Sequence, residues 1–130
     1  MSVAQSAKPF FLDITITLKR LVALLEEDET DEYGVLQPSQ HAFNLGMRLV
    51  LDAYEAMSDR FPRASASTDE DGGIRLTWRK QSSEREVRLV CPGDANQQAY
   101  LYHEFGDNYA VVPDVTASTL VQWLEWLNQP

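Results

Sequence analysis

The sequence contains a single cysteine, Cys91, among its 130 residues. An internal disulfide therefore cannot form, and a zinc site built from clustered cysteines is excluded as well. Long apolar stretches are also absent, since no run approaches the roughly 20 residues that a membrane-spanning helix needs. Residues 1–10 lack the apolar segment of a secretory signal. We therefore expect a cytoplasmic protein that has no internal disulfide and no membrane-spanning segment.

Basic residues are few relative to acidic ones. Lys and Arg number 11 against 20 for Asp and Glu, so the net charge is −9. Because nucleic acids and anionic membranes attract proteins through positive fields, this balance argues against both as partners. A hydrophobic content of 44% with 24% charged residues is typical of a folded globular chain. The length predicts a single domain over residues 1–130, with residues 1–9 as a disordered arm.

Motifs for catalysis and for cofactor binding are missing too. The pair Gly72-Gly73 is not followed by Lys-Ser or Lys-Thr, and no Gly-x-Ser-x-Gly occurs, so neither a phosphate-binding loop nor a nucleophile elbow is predicted. His41 and His103 are the only histidines, and neither lies in a metal-ligand spacing. We expect no enzyme activity, no metal and no cofactor. The weakest alternative is a hydrolase that uses Cys91 and His103 on neighbouring strands, without an evident oxyanion hole or third residue.

Two helices are predicted in the N-terminal half. Asp13 is a candidate N-cap of the first, although the alternation of Ile and Thr at its start also fits a strand. Its apolar stripe is expected to be Ile14, Leu18, Leu21, Val22 and Leu25. The acidic run at 26–32 is expected to be a solvated loop. The second helix begins with Ser39 as N-cap, continues for about five turns and is predicted to end at Pro62.

The spacing of apolar residues then changes from helical to alternating. Four or five short strands are predicted between Arg63 and Val112, joined by tight turns, which is typical of an antiparallel meander. A final helix follows Pro113 and has Leu120, Leu124 and Leu127 on one side. The order helix, helix, strands, helix predicts an α+β fold in which the helices pack on one face of the sheet.

The basic residues are unevenly distributed along the chain. Seven of the eleven lie between positions 60 and 88. The strand assignment places five candidate contact residues on the face opposite the apolar side chains, namely Arg75, Arg79, Arg88, Tyr100 and Tyr102. Arg and Tyr are enriched at protein contact surfaces because they combine area with hydrogen bonding. The alternative is an ordinary solvated face with ion pairs such as Arg88–Glu86.

The last helix supplies a second candidate surface. Trp123 and Trp126 are three residues apart, so they cannot both point along the same line as Leu120, Leu124 and Leu127. We expect one in the core and the other half exposed or against a second subunit. The sequence therefore predicts a non-enzymatic protein-binding protein that acts through the Arg/Tyr sheet face or the aromatic helix. Its partner is expected to be another protein or a second copy of itself.

Several short elements resemble a known family. They are Tyr33-Gly34, Pro38-Ser39, Ala42, Pro62 and the hairpin segment Asp71–Trp78, Asp-Gly-Gly-Ile-Arg-Leu-Thr-Trp. In these elements the chain resembles a family of small acidic bacterial proteins, found in cyanobacteria among others, to which no chemistry is assigned. Similar short acidic proteins act as antitoxin-like partners of small toxins. Small acidic dimers also serve as secretion chaperones, but those chaperones open with one helix, whereas two are predicted here.

Overall fold

The computed structural model describes residues 11–26, 30–31, 34–35 and 37–130. In these residues the chain forms three α-helices and a five-stranded antiparallel sheet, which confirms the predicted α+β fold. The helices are α1 (Leu12–Leu25), α2 (Gln40–Met57) and α3 (Ala117–Asn128). The strands are β1 (Thr30–Asp31), β2 (Gly34–Val35), β3 (Ser65–Thr68), β4 (Ile74–Lys80), β5 (Arg85–Cys91), β6 (Tyr100–Phe105) and β7 (Asn108–Val112). Within the described part of the chain, no helix is both long and apolar enough to cross a bilayer.

α1 buries a different stripe from the one expected. Its buried side chains are Ile14, Thr17, Leu21 and Leu24. Val22 and Leu25, which were expected in the core, are 41% and 45% exposed. A polar residue can take a core position here because the Thr17 hydroxyl donates to the carbonyl of Asp13 and accepts a hydrogen bond from the Ala64 amide. That long-range partner is invisible in the helical spacing.

The start of α1 and the acidic run also differ from the expectation. Phe11, not Asp13, occupies the N-cap position, and Asp13 lies in the first turn, where it pairs with Arg63 at 2.9 Å. A carboxylate in the first turn still favours the helix through its dipole. β1 lies within the run that was expected to be a loop, and it pairs with β2, which follows the run. Most of that run, like the predicted arm at 1–9, lies outside the described residues.

α2 begins as predicted but ends earlier. The Ser39 side chain accepts a hydrogen bond from the Ala42 amide at 3.1 Å, which confirms Ser39 as the N-cap. The helix ends at Met57, so the prediction that Pro62 ends it is wrong. Ser58 has a φ of 53° and a ψ of −124°, and this non-helical backbone conformation interrupts the helix before the proline is reached.

The strands β3 to β7 lie in chain order, each antiparallel to the next, as in the predicted meander. Leu76 lies opposite Leu89, which in turn lies opposite Leu101. Because side chains alternate between the two faces of a strand, this register collects the apolar residues of the middle strands on one face. The three helices pack over that inner face. The buried strand residues of the inner face are Ile74, Leu76, Trp78, Val87, Leu89, Cys91 and Leu101.

Trp78 connects the sheet to the segment that follows α2. Its side chain is fully buried, and its indole N–H donates to the carbonyl of Pro62 at 2.9 Å. The ring of Phe61 meets Trp78 edge-on at a centroid distance of 6.1 Å, and Tyr54 meets Phe61 in the same way. Aromatic pairs prefer this arrangement over face-to-face stacking. The end of α2 is therefore held against the centre of the sheet.

The start of α2 and the hairpin that joins β3 to β4 meet in one junction. The Ser39 amide donates to the Gly72 carbonyl at 2.8 Å, and the Ser39 hydroxyl donates to the Gly93 carbonyl at 2.9 Å. A carboxylate oxygen of Asp69 accepts a hydrogen bond from the Gly73 amide at 2.8 Å. The spacing of these sequence elements therefore has a structural explanation, because each supplies a group to the same set of backbone contacts.

Replacement of Gly93 by alanine is expected to destabilise the fold by more than about 3 kcal/mol. An added Cβ would lie 2.3 Å from the backbone oxygen of Asp71, which cannot move without opening the junction. Gly106→Ala is the matched control. Gly106 has a φ of +60° but nothing within 4 Å of an added Cβ. Alanine at this position should therefore lower the free energy of unfolding only through its unfavourable backbone conformation, by about 1–2 kcal/mol. Urea unfolding followed by circular dichroism measures both, and equal losses would contradict the role assigned to the junction.

Candidate functional site

The face of the sheet that points away from the helices carries the predicted contact residues, and we call it the open face. Its side chains form three rows that run across the strands. The first row is Ser67, Arg75, Val90 and Tyr100. The second row is Ser65, Thr77, Arg88, Tyr102 and Val111. The third row is Arg79, Glu86, Glu104 and Tyr109. All five predicted sheet residues lie on this face, and their role in binding stays a prediction.

Glu86 is the centre of an ion-pair network on the open face. Its side chain is only 9% exposed, although it lies on the face that no described helix covers. Arg79 donates to one carboxylate oxygen at 3.0 Å, and Arg88 donates to the other at 2.8 Å. The hydrogen bond to Glu86 raises the pKa of the Arg79 guanidinium. Because Glu86 is nearly excluded from water, loss of either arginine would leave one of its carboxylate oxygens without this hydrogen-bond donor.

Tyr102 is also held by its neighbours on the open face. Its hydroxyl donates to Glu104, and this hydrogen bond raises the pKa of the Tyr102 phenol. The Arg88 guanidinium lies over the Tyr102 ring, 5.3 Å from the centroid, and the Tyr109 ring lies 5.5 Å away on the other side. A cation over an aromatic face is attracted by the ring quadrupole. These contacts fix the Tyr102 ring between two neighbours.

The first row differs, because its two large polar residues have no such contacts. Arg75 is exposed and forms no ion pair among the described residues. Tyr100 is 39% exposed, and between the two lies Val90, which is buried. Arg75 and Tyr100 therefore present an unpaired guanidinium and a phenol on either side of an apolar floor.

The sequence analysis did not name Tyr109 and Val111 as contact residues of this face. They are 69% and 55% exposed. The signal for them is the two-residue turn Gly106-Asp107, which sets β6 opposite β7 and continues the alternation into the last strand. With that register, Tyr109 and Val111 follow Tyr102 onto the same face.

Acidic loops lie at both ends of the open face. One end continues into a cavity of about 440 Å³ with carboxylates of Glu84 and Asp107 in its wall. The other continues into a cavity of about 360 Å³ whose wall includes Asp69, Asp71 and Asp94. In the described part of the chain no cluster of His, Cys, Asp and Glu has the composition of a metal site. The open face is thus a basic and aromatic surface with acidic margins.

Both tryptophans of α3 pack on the inner face instead of dividing between core and solvent. Trp123 stacks on His103 with centroids 3.7 Å apart, and Trp126 meets Trp123 edge-on at 5.3 Å. Both indoles are half-buried. Both tryptophans can pack here because the flat imidazole of His103, on β6, contacts both indole rings. A groove of about 290 Å³ runs between this cluster and β7.

Two basic side chains bind the carboxyl end of α3. The Lys80 ammonium donates to the carbonyls of Asn128 and Gln129 at 3.0 and 2.9 Å. Arg85 donates to the carbonyls of Trp126 and Gln129 at 3.0 and 2.8 Å. The last carbonyls of a helix lack intrahelical partners and carry the negative end of its dipole. Lys80 and Arg85 therefore position α3 on the sheet and take no part in the open face.

The candidate pair Cys91 and His103 is not brought together. His103 lies opposite Val87, four residues before Cys91 along β5, which is about 13 Å of strand. Burial raises the pKa of the Cys91 thiol to about 12. A thiol in that state is neutral near pH 7 and is a poor nucleophile. Cys91 packs as a small core residue, 3.6 Å from the position of a Cβ on Gly46.

The stacked imidazole predicts a loss of stability in mild acid. Burial lowers the pKa of His103 below its ordinary value, about 6.5. The folded state therefore disfavours the charged ring, and stability is lost as the pH falls from the ordinary value through the lowered one. The variant His103→Phe keeps the stacking on Trp123 but cannot titrate. The urea midpoint of unfolding should fall between neutral and mildly acidic pH, and it should fall less in the variant than in the wild type. An equal fall in both proteins would contradict the role assigned to His103.

The comparisons with known proteins give no relative. No protein-family model matches the chain, and no curated protein or solved structure is detectably similar to it. The resemblance to a family of small acidic bacterial proteins therefore stays a prediction carried by the quoted residues. The functional interpretation depends on the geometry of the open face and of the aromatic helix.

Proposed function

We propose that this protein is a non-enzymatic protein-binding module that contacts its partner with the open face. The observation that carries the proposal is a sheet whose inner face is covered by three helices while its other face is free of described helices. That free face bears the exposed side chains of Arg75, Tyr100, Tyr109 and Val111. Large exposed aromatic and apolar groups beside an arginine are the composition of contact surfaces.

The charges on the face indicate the chemistry of the partner. Arg79 and Arg88 both pair with Glu86, so among the described residues Arg75 is the guanidinium of this face that has no carboxylate partner and is available to a carboxylate of the binding protein. Tyr100 and buried Val90 beside it favour an apolar or aromatic neighbour for that carboxylate. The net charge of −9 favours a partner that is basic elsewhere on its surface. Such long-range attraction weakens as salt shortens the Debye length to about 8 Å.

The environments of Cys91 and His103 favour a binding role over a catalytic one. The only thiol is buried with its pKa raised to about 12, and it lies far along β5 from the imidazole of His103. A cytoplasmic location, an antitoxin-like role and a chaperone-like role remain predictions from the sequence.

The aromatic helix is a second candidate surface. Trp123 and Trp126 are half-buried and line the groove of about 290 Å³ beside β7. The edge of an indole that remains accessible can contribute strongly to a protein contact. If the partner used this groove, Trp126→Ala would lower the binding affinity, and substitutions on the open face would leave the affinity unchanged.

The open-face proposal predicts the effect of the double variant Arg75→Ala/Tyr100→Ala. Binding to the partner recovered from the native cell should weaken by about 1–3 kcal/mol, which is about 5- to 150-fold in Kd. Neither side chain forms an ion pair with another described residue, so thermal stability should change little. Arg48→Ala, which removes an exposed arginine from α2, is the matched control and should bind like the wild type. Titration calorimetry with the purified partner measures all three.

Two results would contradict the proposal. One is unchanged affinity in the double variant with a large loss in Trp126→Ala, which would move the contact to the aromatic helix. The other is the recovery of no protein partner by the wild-type chain. Arg88→Ala is less suitable as a test, because it also leaves Glu86 buried with one cation fewer and should lower stability together with affinity.

A further inference from the structure

In the part of the chain that the structure describes, the last strand of the sheet forms an edge without the usual protection. β7 has the sequence Asn-Tyr-Ala-Val-Val, with no charged residue and no proline inside it. Tyr109 and Val111 are 69% and 55% exposed. Natural proteins normally blunt such an edge with charges, proline, a bulge or a covering element, because its free backbone groups can pair with another strand.

The opposite edge of the sheet is protected. β3 has only four residues, and the backbone just before it is bonded to α1. The Ala64 amide donates to the Thr17 hydroxyl at 3.0 Å, and the Ala64 carbonyl accepts a hydrogen bond from Arg20 at 2.8 Å. Among the described residues, no comparable contact reaches the outer side of β7. The two edges therefore differ in their capacity to pair.

The hairpin geometry identifies which backbone groups of β7 are free. β6 and β7 are joined by the two-residue turn Gly106-Asp107, and Gly106 has a φ of +60°, as in a type II′ turn. The residues that flank such a turn form a hydrogen-bonded pair, and bonded and non-bonded pairs then alternate. Asn108, Ala110 and Val112 therefore direct their N–H and C=O groups to β6. Tyr109 and Val111 direct theirs outward.

We infer that two copies of this chain pair through β7 to form one continuous sheet. In an antiparallel arrangement with Ala110 on the two-fold axis, Tyr109 of one copy lies opposite Val111 of the other. Both residues present outward N–H and C=O groups, so the pairing forms two bonds at each of two equivalent sites. On the open face the same register sets an aromatic ring beside a β-branched side chain, a favourable cross-strand pair. On the inner face only the Ala110 methyl groups meet at the axis.

Self-complementarity is the reason to assign this edge to a second copy. Read in the opposite direction, β7 offers the same spacing of outward groups, and the two-fold contact uses the free edge of both copies. Because the β3 edges are protected, assembly stops at a dimer. This inference concerns the sheet edge and does not depend on the proposed role of the open face. A dimer would nevertheless join two open faces side by side.

The affinity is expected to be modest and to rise with salt. A five-residue strand pair buries less than the roughly 800 Å² per partner of a standard interface, so we expect a Kd on the order of micromolar. Each copy carries a net charge of −9. In the proposed register Asp107 lies opposite Pro113 of the other copy, next to its Asp114, so carboxylates approach each other. Screening by salt should therefore tighten the dimer.

The test compares the wild type with Val111→Pro by sedimentation equilibrium from about 10 μM to about 1 mM. Proline at this position removes an N–H that points away from β6, which an edge strand tolerates. It deletes one intermolecular hydrogen bond at each equivalent site and should weaken association by at least about tenfold. Val111→Thr keeps the N–H and the branched shape, and it should associate like the wild type. Circular dichroism checks that each variant is folded.

Amide exchange by NMR gives a residue-level readout. As the protein concentration rises, exchange at Tyr109 and Val111 should slow, whereas exchange at Ala110 and Val112 should be slow throughout because their N–H groups bond to β6. If Val111→Pro does not fold, Tyr109→Pro removes the other outward N–H and replaces it in the test.

A wild type that stays monomeric over this range would overturn the inference. So would a dimer that a folded proline variant leaves intact, or exchange at Tyr109 and Val111 that is independent of concentration. The open-face proposal is separate from all three, since it is tested by Arg75 and Tyr100 and by a different protein partner.

Discussion

The register of β4 against β5 is the constraint on which the rest of the structure depends. It sets Leu76 opposite Leu89 and Trp78 opposite Val87, so one face of the sheet is apolar along its whole centre. A slip of one residue would turn Trp78 to the solvent and bring the arginines of the same strand into the core. Trp78 also holds the end of α2 through the Pro62 carbonyl, so the position of the helices follows from the same register.

The open face is the other consequence of this alternation. Every residue that the register removes from the core is presented on a surface that no described helix covers. Glu86 makes that surface compatible with a stable fold, because it pairs with both Arg79 and Arg88 and reduces the repulsion between them. Arg75 and Tyr100, in the first row, form no ion pair with other described residues. The fold thus supplies stability and a contact surface from the two faces of the same strands.

Much of this arrangement could be predicted from sequence patterns. Strand alternation predicts the shared face of Arg75 and Tyr100, and the preference of serine for helix starts predicts the N-cap at Ser39. What could not be predicted depends on partners distant in sequence. Thr17 is buried in α1 because Ala64, far along the chain, donates to its hydroxyl. Among the basic residues clustered between positions 60 and 88, Lys80 binds the carboxyl end of α3, 48 residues further along the chain. A helical or alternating pattern contains no information about such contacts.

Hydroxyl-radical footprinting of the chain with and without its protein partner tests the central claim most directly. The open-face account predicts that oxidation of Tyr100 falls strongly in the complex, while oxidation of Trp123 and Trp126 is unchanged. Tyr54, on α2, is the internal reference and should react equally in both samples. Protection of the tryptophans with Tyr100 still fully reactive would contradict the account.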